Sequence, residues 1–200
     1  MNILVILAHP VIGSFNHAIA GEAETLLRGL GHTVLVHDLY AERFDPVMPG
    51  AELAKDAVVP EVVERYCREL AAADGMVIVH PNWWSAPPAI LRGWVDRVLR
   101  AGRAYEFVPD GQGGAKAVGL LKVRAAVIFN TANTPQEKEE SLLGDPLEVH
   151  WCKVVFGMCG IREVHRRNFS PVILSTLEER QRWLVEVRQM LGAVFSGVPD

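Results

Sequence analysis

Short apolar runs alternate with amphipathic stretches along the chain, a pattern typical of a parallel β-sheet covered by helices on both faces. Five apolar runs have the length of strands: residues 2–8, 33–38, 75–81, 123–130 and 161–165. None of them approaches the ~18–20 apolar residues that cross a bilayer. We therefore expect residues 1–200 to form one α/β domain, a three-layer sandwich around a five-stranded parallel sheet.

The stretches between the strands carry helical periodicity. The first predicted helix has Ser14 at its N-cap and Gly31 as its stop signal. Its apolar face contains Phe15, Ile19, Ala23, Leu26, Leu27 and Leu30. A second helix is predicted over residues 59–73, and a third begins at Pro87-Pro88, where Ser85 is placed to cap it.

The C-terminal half is less regular. Residues 101–122 are rich in glycine and weakly patterned, which predicts a long connection of the kind that usually holds something functional or mobile. Asp145 can cap a fourth helix that runs to about Met158. Residues 175–178 read as a capping box that opens the last helix.

Composition and charge exclude several classes of protein. Half of the residues are hydrophobic and 22% are charged, which is typical of a folded globular chain. The net charge of −4, without a basic stripe, argues against nucleic acid as a partner. The three cysteines form no C-x-x-C pair and no signal peptide precedes the first strand, so we expect a cytoplasmic protein. The histidines show no metal-ligand spacing, and no metal site is predicted.

The loop after the first strand has the features of a phosphate site. Because this loop leads into a helix, free backbone N–H groups and the helix dipole favour an anion there. Ser14 and Asn16 add side-chain donors, and Gly13 lets the backbone approach a ligand closely. The alternative is that Ser14 is only an N-cap and His9 only a strand-end residue. The G-x-G-x-x-G and G-x-x-x-x-G-K-[ST] motifs of nucleotide sites are absent.

The loop after the third strand contains two adjacent tryptophans, Trp83 and Trp84. Successive side chains at a strand end point in different directions, so one core does not account for both rings. They would form a wall for a planar heterocycle. The alternative is that both rings are buried against the following helix. After the fourth strand, residues 130–135 offer small polar donors for the edge of such a ring, although similar clusters are often ordinary turns.

Three groups of residues carry a resemblance to a known family. They are Ile6-Leu7-Ala8-His9-Pro10 with Ser14-Phe15-Asn16, His37-Asp38-Leu39-Tyr40 with Phe44-Asp45-Pro46, and Pro81-Asn82-Trp83-Trp84 with the helix from Pro88 to Val98 and Tyr105. Through these motifs the first half of the chain resembles the flavodoxin-like NAD(P)H:quinone oxidoreductases. The resemblance implies a flavodoxin-like sheet of order 2-1-3-4-5. It also implies a homodimer that holds FMN or FAD at its interface.

The resemblance assigns a flavin-binding role to three segments. The phosphate would be bound by His9, Ser14, Phe15 and Asn16. The isoalloxazine would be lined by Pro81, Asn82, Trp83 and Trp84. The pyrimidine end of the ring would be contacted by Thr131, Ala132, Asn133 and Thr134.

One segment departs from the family pattern. Many members have Thr-Thr-Gly-Gly after the fourth strand, then a Tyr and a His that stabilise charge during hydride transfer. This chain has Thr131-Ala132-Asn133-Thr134 and then no Tyr or His until His150. We therefore expect Asn133 and Thr134, as hydrogen-bond donors, to take the catalytic role.

The function implied is hydride transfer from NAD(P)H through a bound flavin to a quinone-type acceptor by a ping-pong mechanism. FMN is the expected cofactor and FAD the alternative. The alternative function is a flavin-binding ancillary subunit of a potassium efflux system with little turnover. An α/β-hydrolase is excluded because the chain has no G-x-S-x-G elbow. A phospho-acceptor module is excluded because His80-Pro81 stands where its aspartate would end the third strand.

Overall fold

A computed structural model describes residues 1–196 of the chain. The strands are β1 (Asn2–Leu7), β2 (Thr33–Asp38), β3 (Gly75–Pro81), β4 (Tyr105–Pro109), β5 (Ala115–Gly119), β6 (Ala125–Thr131) and β7 (Glu163–Phe169). Five of them form one parallel sheet of order β2-β1-β3-β6-β7, and β4 and β5 form a separate antiparallel hairpin. The predicted flavodoxin-like order 2-1-3-4-5 is confirmed, since β6 and β7 are the fourth and fifth strands of the main sheet.

Helices cover both faces of the sheet. They are α1 (Phe15–Gly29), α2 (Glu61–Ala72), α3 (Ala89–Val98), α4 (Gln136–Leu143), α5 (Pro146–Glu148), α6 (Phe156–Met158) and α7 (Leu177–Phe195). A π-helical segment, Val149–Val155, joins α5 to α6. Two 3₁₀ turns, Gly50–Glu52 and Val172–Leu174, lie in the connections. Among residues 1–196, no helix is both long and apolar enough to cross a membrane.

The alternation of side chains along each strand divides the core into two layers. On β1, Ile3, Val5 and Leu7 pack in the layer that contains the apolar faces of α1 and α7. Leu4 and Ile6 point the other way, into the layer shared with α2, α3 and the segment from α5 to α6. Because both faces are buried, the central strands are continuous apolar runs rather than alternating ones.

Strand positions agree with the prediction at the centre of the sheet and differ at its edge. β2 and β3 occupy the predicted residues, β1 ends one residue earlier, and β6 lies one or two residues later than predicted. β7 covers Glu163–Phe169 rather than residues 161–165. It is an edge strand with polar side chains from His165 to Asn168, so its apolar signal ends before the strand does.

Two elements in the connections were not predicted. Residues 101–122, predicted only as a long connection, contain the β4–β5 hairpin. Its turn is ordered by Asp110, whose Oδ1 accepts hydrogen bonds from the backbone N of Gln112 at 2.8 Å and of Gly114 at 2.9 Å. The acidic segment after β6 forms α4, a helix that was not predicted because its apolar face is narrow.

Two helix starts differ from the prediction. α3 begins after Pro88 without a side-chain cap, and Ser85 instead bonds to Glu139. The capping box of α7 uses Thr176 and Glu179, one residue later than predicted. Ser14 caps α1 as predicted, with its Oγ accepting from the backbone N of His17 at 3.4 Å. Asp145 caps α5, the start of the predicted fourth helix.

Candidate functional site

The carboxyl ends of β1, β3 and β6 meet at one edge of the sheet, and a cleft of about 260 Å³ opens there. It is lined by His9, Ser14, Phe15, Asn16, Pro81, Asn82, Trp83, Thr131, Ala132, Asn133, Val172 and Arg180. All of the predicted cofactor residues except Trp84 and Thr134 are in this set. The three loops that were identified from the sequence therefore surround one cavity, at the place where ligands bind in open α/β sheets.

The N-terminus of α1 forms one wall of the cleft. Gly13 has a φ of +77°, which turns the chain from the β1 loop into the helix at a position that favours glycine. The first backbone N–H groups of α1 have no partner within the helix, and the helix dipole gives this end a partial positive charge. This wall suits an anion such as a phosphate.

Behind this wall, Ser14 contacts His17, which in turn contacts Asp38. The Ser14 Oγ lies 2.8 Å from Nδ1 of His17, and Nε2 of the same ring lies 3.1 Å from Oδ2 of Asp38. Asp38 is itself fixed, because its Oδ1 accepts from the backbone N of Tyr40 and of Ala41. The cleft residue His9 has its pKa lowered, mainly by burial and also by the nearby His17, so its ring is neutral near neutral pH.

Asn16 and Asn82 bring buried acceptors to the cleft. The Nδ2 of Asn16 donates to Oγ1 of Thr131 at 2.9 Å, and the backbone N of Asn82 donates to the carbonyl of Thr131 at 2.6 Å. The Oδ1 atoms of both asparagines are buried and have no hydrogen-bond partner. Buried acceptors without donors are rare in proteins, and both asparagines are among the residues that line the cleft.

The tryptophan loop is a tight turn. The backbone groups of Trp83 and Ala86 exchange two hydrogen bonds, of 3.0 and 3.1 Å. Trp84 and Ser85 between them both have a φ of 55°, a left-handed conformation that costs side-chain-bearing residues energy. Trp83 lines the cleft, whereas Trp84 projects outward and is fully exposed, at 101%. The two indoles therefore do not form a single wall within this chain, and neither is buried against α3.

The loop after β6 contributes one of the two predicted catalytic residues to the cleft. Asn133 lines the cleft, and its Oδ1 accepts from the backbone N of Ile173 at 3.0 Å, which leaves its amide N–H groups available as donors. Thr134 is exposed and is not among the lining residues.

Comparison with known proteins identifies the family. A family model described as Flavodoxin-like fold matches residues 1–189. An uncharacterized NAD(P)H oxidoreductase of Haemophilus influenzae is 34% identical over 179 residues, which cover 87% of this chain and 86% of that protein. The chain belongs to the flavodoxin-like NAD(P)H:quinone oxidoreductase family.

Two further similar proteins match nearly the whole chain. The human ribosyldihydronicotinamide dehydrogenase [quinone] is 29% identical over 221 residues, covering 98% of this chain and 93% of the human protein. The crystal structure of Smu.1420 from Streptococcus mutans has 34% sequence identity and a TM-score of 0.83, and the match covers 96% of this chain and 98% of that one. The resemblance seen in the first half of the sequence thus extends to the C-terminal half.

Helix α4, which follows the loop after β6, carries a buried carboxylate. Glu139 on α4 is only 4% exposed. Its Oε1 accepts from Nδ2 of Asn82 at 3.2 Å and from the hydroxyl of Ser85. Glu139 therefore holds the tryptophan turn from behind and does not line the cleft.

Several residues at the site were not found from the sequence. Val172, in the 3₁₀ turn before α7, and Arg180, in the first turn of α7, line the cleft. Arg180 is oriented by its bonds to Oγ of Ser175 at 2.8 Å and to the carbonyl of Val172 at 3.1 Å. These residues are distant in sequence from the three loops and carry no motif, so only the fold brings them to the cleft. Within residues 1–196 no group of three or more side chains is arranged to hold a metal ion.

His80 supports the floor of the site. It is fully buried at the end of β3, where its Nε2 accepts from Nε1 of Trp151 at 3.0 Å. The other ring nitrogen therefore carries the hydrogen and donates to the carbonyl of Pro81 at 2.8 Å. Burial lowers the pKa of His80 to about 4, so the ring is neutral and works as a fixed hydrogen-bonding link beneath the tryptophan loop.

Proposed function

We propose that the chain is a flavin-dependent NAD(P)H oxidoreductase that binds FMN in the cleft and reduces a quinone-type acceptor. The observation that carries this proposal is the convergence of three separate loops, each with flavin-binding residue types, on one cleft. Membership of the quinone oxidoreductase family supports the same reaction class.

The donors and acceptors of the cleft fit FMN. The N-terminus of α1, Ser14 and the cation of Arg180 match a phosphate. The unpartnered Oδ1 atoms of Asn16 and Asn82 match the hydroxyl and ring N–H donors that a flavin carries. FMN would supply a ring that accepts hydride from NAD(P)H and passes it to the acceptor. FAD carries the same first phosphate and is the alternative.

Individual residues would position the ring and stabilise charge. The indole of Trp83 would pack against an aromatic ligand, since aromatic groups prefer offset or edge contacts. The free amide N–H groups of Asn133 would donate to the negative charge that develops during hydride transfer. Asn133 is the better placed of the two predicted catalytic residues, because Thr134 stands outside the cleft.

A single cleft also supports the ping-pong proposal. NAD(P)H and the acceptor would enter the same opening in turn, so that the first product leaves before the second substrate binds. Initial rates at several fixed concentrations of NADH or NADPH, with a soluble quinone as the varied substrate, test this order. Parallel double-reciprocal lines support the proposal, and intersecting lines contradict it.

We further propose that the chain forms a homodimer. An apolar groove of about 330 Å³ lies between α3 and the segment that ends at α6. Val95, Leu99, Val154, Val155 and Met158 are among the residues that line it. A second copy of the chain would cover the side chains of the groove that remain accessible, Val154 and Met158 among them, as the family resemblance implies.

Steady-state assay of the purified chain with FMN tests the proposed activity. We expect quinone reduction that depends on NADH or NADPH and on bound flavin. A chain that binds FMN but has no activity with either nicotinamide and several quinones would contradict the enzyme and favour the ancillary flavin-binding role.

A further inference from the structure

A histidine that the proposed function does not use lies directly behind the phosphate wall. His17, in the first turn of α1, bridges Ser14 and Asp38 with distances of 2.8 Å from Nδ1 to the serine Oγ and 3.1 Å from Nε2 to the carboxylate Oδ2. The His17 and Asp38 side chains are about four-fifths buried. Ser14 faces the cleft on the other side.

The hydrogen atoms of this chain of contacts can be assigned. A carboxylate only accepts, so Nε2 of His17 carries a hydrogen in either protonation state. When the ring is neutral, Nδ1 is an acceptor and takes the single hydroxyl hydrogen of Ser14. Ser14 can then only accept toward the cleft, which is the wrong role for a residue that faces an anion.

When the ring is protonated, the roles reverse. Nδ1 of His17 then donates to Oγ of Ser14, and the backbone N of His17 donates to the same oxygen. Both acceptor sites of the serine are filled, and its hydroxyl hydrogen is free to point into the cleft. The positive ring also lies between two negative groups, the Asp38 carboxylate and a bound phosphate.

We propose that His17 is a phosphate-site residue that takes up a proton when the cleft binds the flavin phosphate, so that Ser14 becomes a hydrogen-bond donor to that phosphate. The inference rests on the proposed flavin site and specifies how its anion is recognised. Asn16 is an independent indication that the cleft binds a ligand, since it lines the cleft, is 2% exposed and has an unpartnered Oδ1.

The titratable groups that face His17 are consistent with this direction. Asp38, from the end of β2, places its carboxylate Oδ2 3.1 Å from Nε2 of His17. His9, from the loop after β1, has its ring centroid 6.2 Å away and is neutral near neutral pH, so it does not repel the charge. Binding of a phosphate should therefore be strongest at the acidic end of the neutral range and weaken as pH rises.

The test compares FMN with riboflavin, which has the same ring and ribityl chain but no phosphate. Dissociation constants are measured by flavin fluorescence on the full chain freed of flavin, between about pH 7 and pH 8.5, where a phosphate monoester stays dianionic. We expect the affinity for FMN, relative to riboflavin, to fall with rising pH by up to about tenfold per pH unit, the limit for one linked proton. Calorimetry in buffers of different ionisation enthalpy should show proton uptake with FMN but not with riboflavin.

Two variants distinguish proton uptake by His17 from a purely structural role of its side chain. In His17→Asn the proton uptake with FMN should disappear. In Asp38→Asn the backbone N–H groups of Tyr40 and Ala41 keep the remaining oxygen facing them, so the new amide donates to Nε2 of His17. The neutral ring then carries its hydrogen on Nδ1 and frees the serine hydroxyl without a proton. FMN binding by Asp38→Asn should therefore persist at high pH and become independent of pH.

His165→Asn is the matched control, because His165 is exposed on the edge strand β7 and does not line the cleft. It should keep the proton uptake of the unmodified chain. Uptake that persists in His17→Asn, or its absence in the unmodified chain that binds FMN, overturns the role of His17 alone. Failure of FMN and riboflavin to bind at any pH overturns the proposed flavin site as well.

Discussion

At the scale of single residues, the site depends on buried polar groups whose hydrogen bonds fix their protonation. His80 is the clearest case, because Trp151 donates to one ring nitrogen and Pro81 accepts from the other. A protonated ring would lose the bond from Trp151 and place a charge in the core. The neutral form is therefore part of the folded structure.

Because His80 is neutral in the folded chain, the free energy of unfolding depends on pH. The pKa of His80 is about 4 in the folded chain, against an ordinary value of 6.5, so the unfolded chain binds the extra proton first as pH falls. The stability contribution is complete above the unfolded value and declines between the two values. Between about pH 7 and pH 5, denaturant unfolding should show a loss of about 2 kcal/mol from this residue.

The variant His80→Gln should be less stable at neutral pH but should lose about 2 kcal/mol less over the same pH interval. His165→Gln, which alters an exposed histidine, should keep the slope of the unmodified chain. Equal slopes for all three proteins would show that His80 is not the titrating group.

Residues within the three loops could be predicted from the sequence, whereas their supporting residues could not. His9, Ser14 and Asn16 lie in one short segment whose position after a strand indicates its chemistry. Asp38, at the end of β2, supports the site through His17, and Arg180, on α7, lines the cleft itself. Their positions depend on strand order and helix packing, which a local pattern does not contain.

At the scale of elements, the turn after β3 stores backbone strain at the cleft. Trp84 adopts a φ of 55° although its side chain is fully exposed and gains no packing within the chain. Such conformations cost about 1–3 kcal/mol for residues with a side chain and cluster at ligand sites. Strain at an exposed tryptophan is consistent with contact to a ligand or a second copy of the chain.

Replacing Trp84 by glycine should relieve this strain. We expect Trp84→Gly to be more stable than the unmodified chain by about 1 kcal/mol, because glycine adopts positive φ without penalty. Thermal unfolding measures the change. Trp83→Gly is the matched control and should be destabilising, since Trp83 is more than half buried and its ring lies 6.5 Å from that of His9. A loss of stability in Trp84→Gly would show that the backbone of Trp84 is not strained.

Helix α3 approaches the segment before Gly50–Glu52 so closely that only glycine fits at one position. A Cβ on Gly93 would lie 2.2 Å from the carbonyl oxygen of Pro46. We expect Gly93→Ala to lower the free energy of unfolding by about 3 kcal/mol. Gly21→Ala in α1, where a Cβ meets nothing within 4 Å, should instead stabilise by about 0.5–1 kcal/mol. Urea unfolding of the two variants distinguishes them, and equal effects would contradict the close packing of α3.

Elements that have an apolar run or a helix cap in their own sequence could be predicted. Elements that depend on tertiary contacts could not. β1 and α1 have apolar runs and a cap in the sequence itself. The β4–β5 hairpin has exposed or half-buried side chains on most positions, so it shows little hydrophobic alternation. α4 is anchored mainly through Glu139, a contact with the tryptophan turn that no local pattern reveals.

At the scale of the whole molecule, the apolar groove between α3 and α6 is the surface on which the homodimer proposal can be tested. Val154→Lys places a charge on its rim, where Val154 is 47% exposed. We expect this variant to shift the chain from dimer to monomer in sedimentation equilibrium. Val185→Lys on α7 starts from the same exposure of 47% and should remain dimeric. A dimer of unchanged affinity in Val154→Lys would exclude the groove as the interface.

Flavin binding in the cleft at the carboxyl ends of β1, β3 and β6 underlies the proposed function. It is measured by titrating the flavin-free chain with FMN and with FAD, followed by visible absorbance and flavin fluorescence. We expect saturable binding of one flavin per chain. We also expect Asn16→Leu, which removes a buried acceptor from a residue that lines the cleft, to weaken the binding about tenfold or more. A chain that binds neither flavin, or whose flavin affinity is unchanged in Asn16→Leu, would show that this cleft is not the flavin site.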